Sequence, residues 1–115
     1  MELDPTGRNP HEAGAKLDSG KVRPWLMLAG FSNAITEVAK VTTKGAEKYT
    51  PNGWVAVPNG EDRYMEAFAR HMLKLGTGEE IDADTGCYHK AQMIWNLLAN
   101  LELELRRKSE GSNRE

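Results

Sequence analysis

A chain of 115 residues with 39% hydrophobic and 28% charged side chains has the composition of one globular domain able to bury a core without cross-links. Its net charge of −2 excludes a global basic field that would steer it onto a nucleic-acid polymer or an anionic membrane, so its cations act locally. One cysteine, Cys87, cannot form an internal disulfide, no stretch approaches the roughly 18 apolar residues that span a bilayer, and the acidic start at Met1–Pro5 has no leader pattern; a cytoplasmic location is expected.

Residues 1–24 show no helical or strand period and are broken by Pro5, Gly7, Pro10, Gly14, Gly20 and Pro24. An irregular N-terminal arm is expected, flexible over residues 1–13. A first helix is predicted from Ser32 or Asn33, with Ile35, Val38, Ala39, Val41 and Ala46 on its apolar face. Tyr49–Gly53 stops it, and a Pro/Gly loop carrying Trp54 follows. A second helix is expected from Glu61–Asp62, carboxylates suited to the positive helix terminus, to about Leu75. Residues 79–86 then make an acidic connection. A third helix should open at Thr85 or Cys87 and run to about Lys108, with Ala91, Ile94, Trp95, Leu98, Leu101 and Leu105 recurring at helical spacing. The domain is expected over 14–108, with a disordered tail over 109–115. The fold class is all-α: three main helices and an irregular arm, completed by oligomerisation.

Two polar stripes break the apolar pattern. Arg63, Glu66, Arg70 and Lys74 follow i, i+3, i+7, i+11, which puts three cations and one carboxylate on one face of the second helix. Such a stripe is either a solvated face or a fork of cations for phosphate oxygens. His71 sits at its edge. On the third helix His89, Gln92, Asn96 and Asn100 repeat the same spacing on an otherwise apolar element. Buried polar groups need partners or lose about 1–3 kcal/mol each, so this row is either satisfied internally or faces a ligand.

The acidic connection holds Glu79, Glu80, Asp82 and Asp84, and Asp82-x-Asp84 can present two oxygens to a hard cation such as Mg²⁺. The alternative is a solvated loop. Gly14 to Lys21 invites comparison with a phosphate-binding loop but departs from it: five residues separate Gly14 from Gly20, Val22 stands where Ser or Thr would hold Mg²⁺, and no strand precedes it. Lys16 and Lys21 remain mobile point charges for phosphate. Cys87 and His89, two apart, do not face each other on a helix, and no nucleophile with a paired base is evident.

In order, the chain reads Gly14-x-Lys16-x-Asp18-x-Gly20-Lys21, Gly45-Ala-x-Lys48-Tyr49, Asn52-x-Trp54, Arg63-Tyr64-x-x-Ala67-x-x-Arg70-His71 and Gly78-x-x-Ile81-Asp82-x-Asp84-Thr-Gly86-x-x-His89. Together these resemble the phage and prophage dATP/dGTP diphosphohydrolase family, related to the all-α MazG-like nucleoside triphosphate pyrophosphohydrolases. The E-x-x-E motif of the MazG group is absent in literal form. The resemblance implies a helical hydrolase converting a purine deoxynucleoside triphosphate to monophosphate and pyrophosphate with Mg²⁺ or Mn²⁺, as a homodimer or homotetramer. Glu37, Asp82 and Asp84 are then the expected metal ligands. Lys16, Lys21, Lys48, Arg63 and Arg70 would meet phosphate, Trp54 would stack on the purine, and Asn52 or Asn96 would read its edge. His71 and His89 are candidate catalytic groups, orienting water, moving a proton or holding a carboxylate. A non-catalytic protein that sequesters a nucleotide is the alternative reading.

Overall fold

The computed structural model describes residues 1–113, which divide into two compact units, Met1–Phe31 and a second from Ser32 onward. The described residues are all helical in architecture: α1 (Pro24–Gly30), α2 (Ser32–Lys48), a 3-10 turn (Gly53–Ala56), α3 (Gly60–Gly76) and α4 (His89–Asn113). Among them no strand forms; Ile81 and Tyr88 make one isolated antiparallel bridge.

The first unit lacks regular structure before α1, as its glycines and prolines require, yet it is organised around one side chain. The buried Asp4 carboxylate accepts the backbone N–H groups of Thr6 (3.0 Å), Arg8 (2.8 Å) and Lys16 (3.2 Å) and the Thr6 hydroxyl (2.9 Å). Such an Asx-type hub replaces a helix or sheet ladder for this segment. Helix α1 goes beyond the sequence reading. Pro24 opens it at a position where a missing N–H costs nothing, but seven residues, none of them buried, carry no readable period.

In the second unit α3 and α4 form an antiparallel hairpin and α2 packs on α4. Within α2 the hydroxyls of Thr36, Thr42 and Thr43 donate back to the carbonyls of Ser32, Val38 and Ala39, which satisfies these polar side chains inside the helix. Thr50-Pro51 ends it. At the start of α3, a Cβ on the buried Gly60 would lie 2.7 Å from Cδ1 of Leu103, so a residue without a side chain lets the two helices close at that end. Asn100 donates to the Glu61 carbonyl at 2.7 Å and Arg107 forms a two-bond ion pair with the Glu61 carboxylate (2.8 and 3.2 Å), pinning the same end.

Helix α4 is longer than the sequence suggests. Residues 109–113, expected in a disordered tail, continue the helix, behind the i,i+4 pairs Glu102–Arg106 and Glu104–Lys108. Residues 114–115 of that expected tail lie outside the described residues.

The packed interior is small. Val38, Cys87, Ala91 and Ala99 are its buried apolar residues, and Trp54, Tyr64 and Trp95 add an edge-to-face trio with centroids 5.5–6.4 Å apart. Ile94, Leu98, Leu101 and Leu105, expected on the core face of α4, are instead 44–52% exposed.

Candidate functional site

The base of the α3–α4 hairpin gathers the titratable residues. His71 lies in the last half of α3, His89 is the first residue of α4, and the twelve residues 77–88 between the helices carry Asp82. That connection folds back tightly: the Asp82 N–H donates to the Cys87 carbonyl (2.9 Å), the Gly86 N–H to the Asp82 carbonyl (2.8 Å) and the His89 N–H to the Glu80 carbonyl (2.9 Å). Gly86 takes a φ of +73°, a left-handed value that glycine adopts without strain, and an added Cβ there would sit 3.2 Å from the Lys44 ammonium. Lys44 donates to the Thr85 carbonyl, so α2 also holds the loop.

His71, Asp82 and His89 each offer one ligand atom, and these atoms lie within 4.8 Å of one another. The two Nδ1 atoms are 2.9 Å apart. On its other side His89 donates Nε2–H to Glu79 Oε2 at 2.7 Å, while the ring is 2% exposed. Gln92, also buried, donates to Asp82 Oδ2 (3.2 Å) and to the Cys87 carbonyl (3.4 Å), and the Asp84 N–H donates to Asp82 Oδ1 (2.9 Å). Two of the three candidate ligands, His89 and Asp82, are thus oriented by neighbours that are not ligands themselves.

The electrostatics follow from this crowding. Burial pushes the Asp82 carboxyl up, but the Asp84 N–H, the Gln92 amide and the two imidazoles outweigh it and hold the carboxyl below its ordinary value. His71 is held below the usual imidazole value, first by burial and then by His89 and Arg70, against the pull of Asp82. Both groups therefore favour the deprotonated, electron-donating form that a cation needs.

The other expected site residues are distributed unequally. Of the expected metal set Glu37, Asp82 and Asp84, only Asp82 belongs to this group. Glu37 is on α2, paired with Lys40 at 2.8 Å, and Asp84 contributes its backbone rather than its carboxylate. Arg63 and Arg70 are exposed on the stripe of α3, Arg63 donating to the Pro58 carbonyl at 3.3 Å. Lys48 lies 5.2 Å from the Tyr49 ring centroid at the end of α2. Lys16 and Lys21 belong to the first unit.

Trp54, expected as a purine platform, is engaged in packing. Its ring meets Tyr64 and Trp95 edge-on, its carbonyl accepts the Tyr64 hydroxyl at 2.7 Å, and the Arg106 guanidinium lies 5.7 Å from its centroid. Asn52 is exposed and takes a φ of 61° ahead of the 3-10 turn, and the buried Asn96 donates to the Gln92 carbonyl at 2.8 Å. The polar row of α4 is therefore satisfied internally: His89 and Gln92 serve the loop, Asn96 its own helix and Asn100 the start of α3. Sequence reasoning gave no site role to Glu79, Gln92 or Lys44. Glu79 lies in the acidic connection and Gln92 on the polar row, but only the folded loop tells which carboxylate meets which imidazole.

A small all-α domain with His71, Asp82 and His89 gathered beside a cationic helix face is the class these features define. Residues 11–113 match the family described as dATP/dGTP diphosphohydrolase, N-terminal, and the chain belongs to that family. It is 32% identical over 85 residues to a dATP/dGTP diphosphohydrolase of Salmonella phage PMBT28, an alignment covering 74% of this chain and 28% of that relative. The chain thus spans little more than a quarter of the relative's length. No solved structure shows significant similarity.

Proposed function

We propose that this chain hydrolyses purine deoxynucleoside triphosphates, dATP and dGTP, to the monophosphate and pyrophosphate in a metal-dependent reaction. The observation that carries the reading is the convergence of His71, Asp82 and His89 within the span matched by the family. The donor set fits a divalent cation: two imidazole nitrogens and one carboxylate, with Glu79 fixing His89 and Gln92 fixing Asp82. When bound, such an ion supplies charge neutralisation at phosphate oxygens and lowers the pKa of a water.

The remaining chemistry belongs to the chain. Arg63 and Arg70, exposed on one face of α3 about two turns apart, neutralise the phosphate chain and hold it in line for attack at the α-phosphorus. Lys48 supplies further positive charge. Pre-placed cations of this kind stabilise the charge that develops on the leaving pyrophosphate. Helix α4 offers an exposed apolar stripe, Ile94, Leu98, Leu101 and Leu105, which a second copy of the chain covers in a homo-oligomer. The proposed place of action is the cytoplasm. No helix among the described residues is long and apolar enough to cross a membrane.

The test is incubation with dATP or dGTP and Mg²⁺ or Mn²⁺, followed by ion-exchange separation of products. Monophosphate and pyrophosphate in equal amounts, abolished by a chelator and by Asp82→Asn, are the expected result. The extra length of the Salmonella phage relative favours one second reading, a nucleotide-binding module without turnover. Saturable binding of intact triphosphate would support that reading and overturn hydrolysis.

A further inference from the structure

We infer that His71, Asp82 and His89 form a three-ligand site for a first-row transition ion of the Co²⁺, Ni²⁺ or Zn²⁺ type rather than for Mg²⁺. The inference deepens the proposed metal-dependent reading and rests on it only for the ion's use in hydrolysis. Mg²⁺ is held by oxygen ligands and keeps most of its waters, whereas imidazole favours the borderline ions that rise through the first transition series. Two of the three donors here are imidazole nitrogens. Glu37 and Asp84, the carboxylates that would have made an oxygen-rich site, stand outside the group.

The geometry agrees with the donor chemistry. His89 donates its Nε2–H to Glu79, which leaves its Nδ1 as the acceptor nitrogen facing His71. A carboxylate holding the far nitrogen of a ligating imidazole is a recurrent support for metal-bound histidine. The two Nδ1 atoms stand 2.9 Å apart. Two ligands about 2.1 Å from one ion stand about 3.0 Å apart at right angles and about 3.4 Å apart in a tetrahedron, so the pair comes within about 0.5 Å of neighbouring-ligand spacing. Three protein ligands leave coordination positions open for water and phosphate oxygen, the arrangement of a catalytic rather than a structural ion.

Titration of the metal-stripped full-length protein with Co²⁺, Zn²⁺ and Mg²⁺ tests this by calorimetry and by the visible absorption of bound Co²⁺. One Co²⁺ per chain, displaced by Zn²⁺ and bound at least about 100-fold more tightly than Mg²⁺, is expected. His71→Ala and Asp82→Asn should each remove the Co²⁺ spectrum while helical circular dichroism persists; His11→Ala, in the first unit, should leave it intact. If the buried His89 cannot be replaced without unfolding, His71→Ala alone decides, because that ring is partly exposed. Co²⁺ binding unchanged by His71→Ala, or Mg²⁺ binding as tight as Co²⁺, overturns the inference. Hydrolysis of dATP with Mg²⁺ but no Co²⁺ site would defeat the inference and leave the hydrolase reading standing. A Co²⁺ site with intact dATP in every metal would do the reverse.

Discussion

Nε2 of His89 and Oε2 of Glu79 lie 2.7 Å apart, and that bond decides which ring nitrogen is left free to face His71. The carboxylate acts through the imidazole, so Glu79 is a positioning residue. Glu79→Gln keeps an acceptor for the Nε2 proton but removes the charge, and Glu79→Ala removes both. Metal affinity should fall by about 10-fold in the first variant and about 100-fold in the second, the range for loss of a ligand's carboxylate support. Calorimetry reads the affinity. Equal affinities in both variants and the parent would show that Glu79 only closes the loop.

The pairing of His71 with His89 gives the metal-free protein an acid-sensitive hairpin. His71 is held below its ordinary value of 6.5 by burial first and then by His89 and Arg70. Between its folded value and 6.5 the unfolded chain binds more protons than the folded one, so stability rises with pH through that window. It is complete above 6.5 and lost as pH falls. Asp82, held below its ordinary 3.8, adds a second loss at still lower pH. In the presence of a chelator, the melting temperature should drop between pH 7.5 and pH 5.5, and His71→Gln should flatten that drop. A pH-independent melting temperature in the parent would contradict the assignment.

The helices were legible because each carries its own local signal. Ser32 and the Pro51 stop bracket α2, Glu61-Asp62 and Gly76–Gly78 bracket α3, and the observed bounds fall within a few residues of the expected ones. Helix α1 carries no such signal, being two turns long and apolar on all sides. The site was legible only in halves. His71 and His89 were each marked by their position on a polar stripe, but their contact spans 18 residues and a loop whose turn at Gly86 brings it about. Glu37 and Asp82 looked alike as carboxylates in sequence, and the structure separates them by giving Glu37 a lysine one turn away. Sequence shows Trp54 as an aromatic in a loop, and only the fold shows the two rings it meets.

That aromatic trio makes a prediction opposite to a stacking role. Trp54→Ala removes two edge-to-face contacts and leaves a cavity, which should cost about 2–3 kcal/mol, below the roughly 3–5 of a fully buried ring. Urea denaturation followed by circular dichroism gives this figure. Below the melting range, KM for dATP should stay within about 2-fold of the parent. A large rise in KM with little loss of stability would return Trp54 to the purine.

Arg63 and Arg70 should behave in the converse way. Both side chains are exposed, so truncation to alanine should change stability by less than about 0.5 kcal/mol. Each charge-assisted contact to a phosphate oxygen is worth about 1.5–3 kcal/mol, so Arg70→Ala should lower kcat/KM by roughly 10–100-fold. The loss should shrink as salt is raised and exposed charges are screened. Steady-state pyrophosphate release at two ionic strengths checks both statements.

The exposed apolar stripe of α4 leads to the last expectation. Ile94, Leu98, Leu101 and Leu105 follow i, i+4, i+7, i+11 on one face, and each is 44–52% exposed, whereas the α4 residues buried within the chain are Ala91 and Ala99 among the apolar ones. Ala91, Ala99, Trp95 and Leu103 thus face the chain's own neighbours, and the four-residue aliphatic stripe faces outward. This is the reverse of what a self-sufficient domain requires, since large aliphatic side chains give most stabilisation per residue when removed from water, about 1.5–3 kcal/mol each. A second copy that packs the same stripe against itself restores that burial with an isologous contact. Light scattering after size exclusion should therefore report a dimer or larger assembly for the parent. Leu98→Glu with Leu101→Glu should shift it to a monomer, because two carboxylates per chain would face each other across the contact. A parent that is monomeric at micromolar concentration would remove the stripe from the assembly and leave its exposure without a partner.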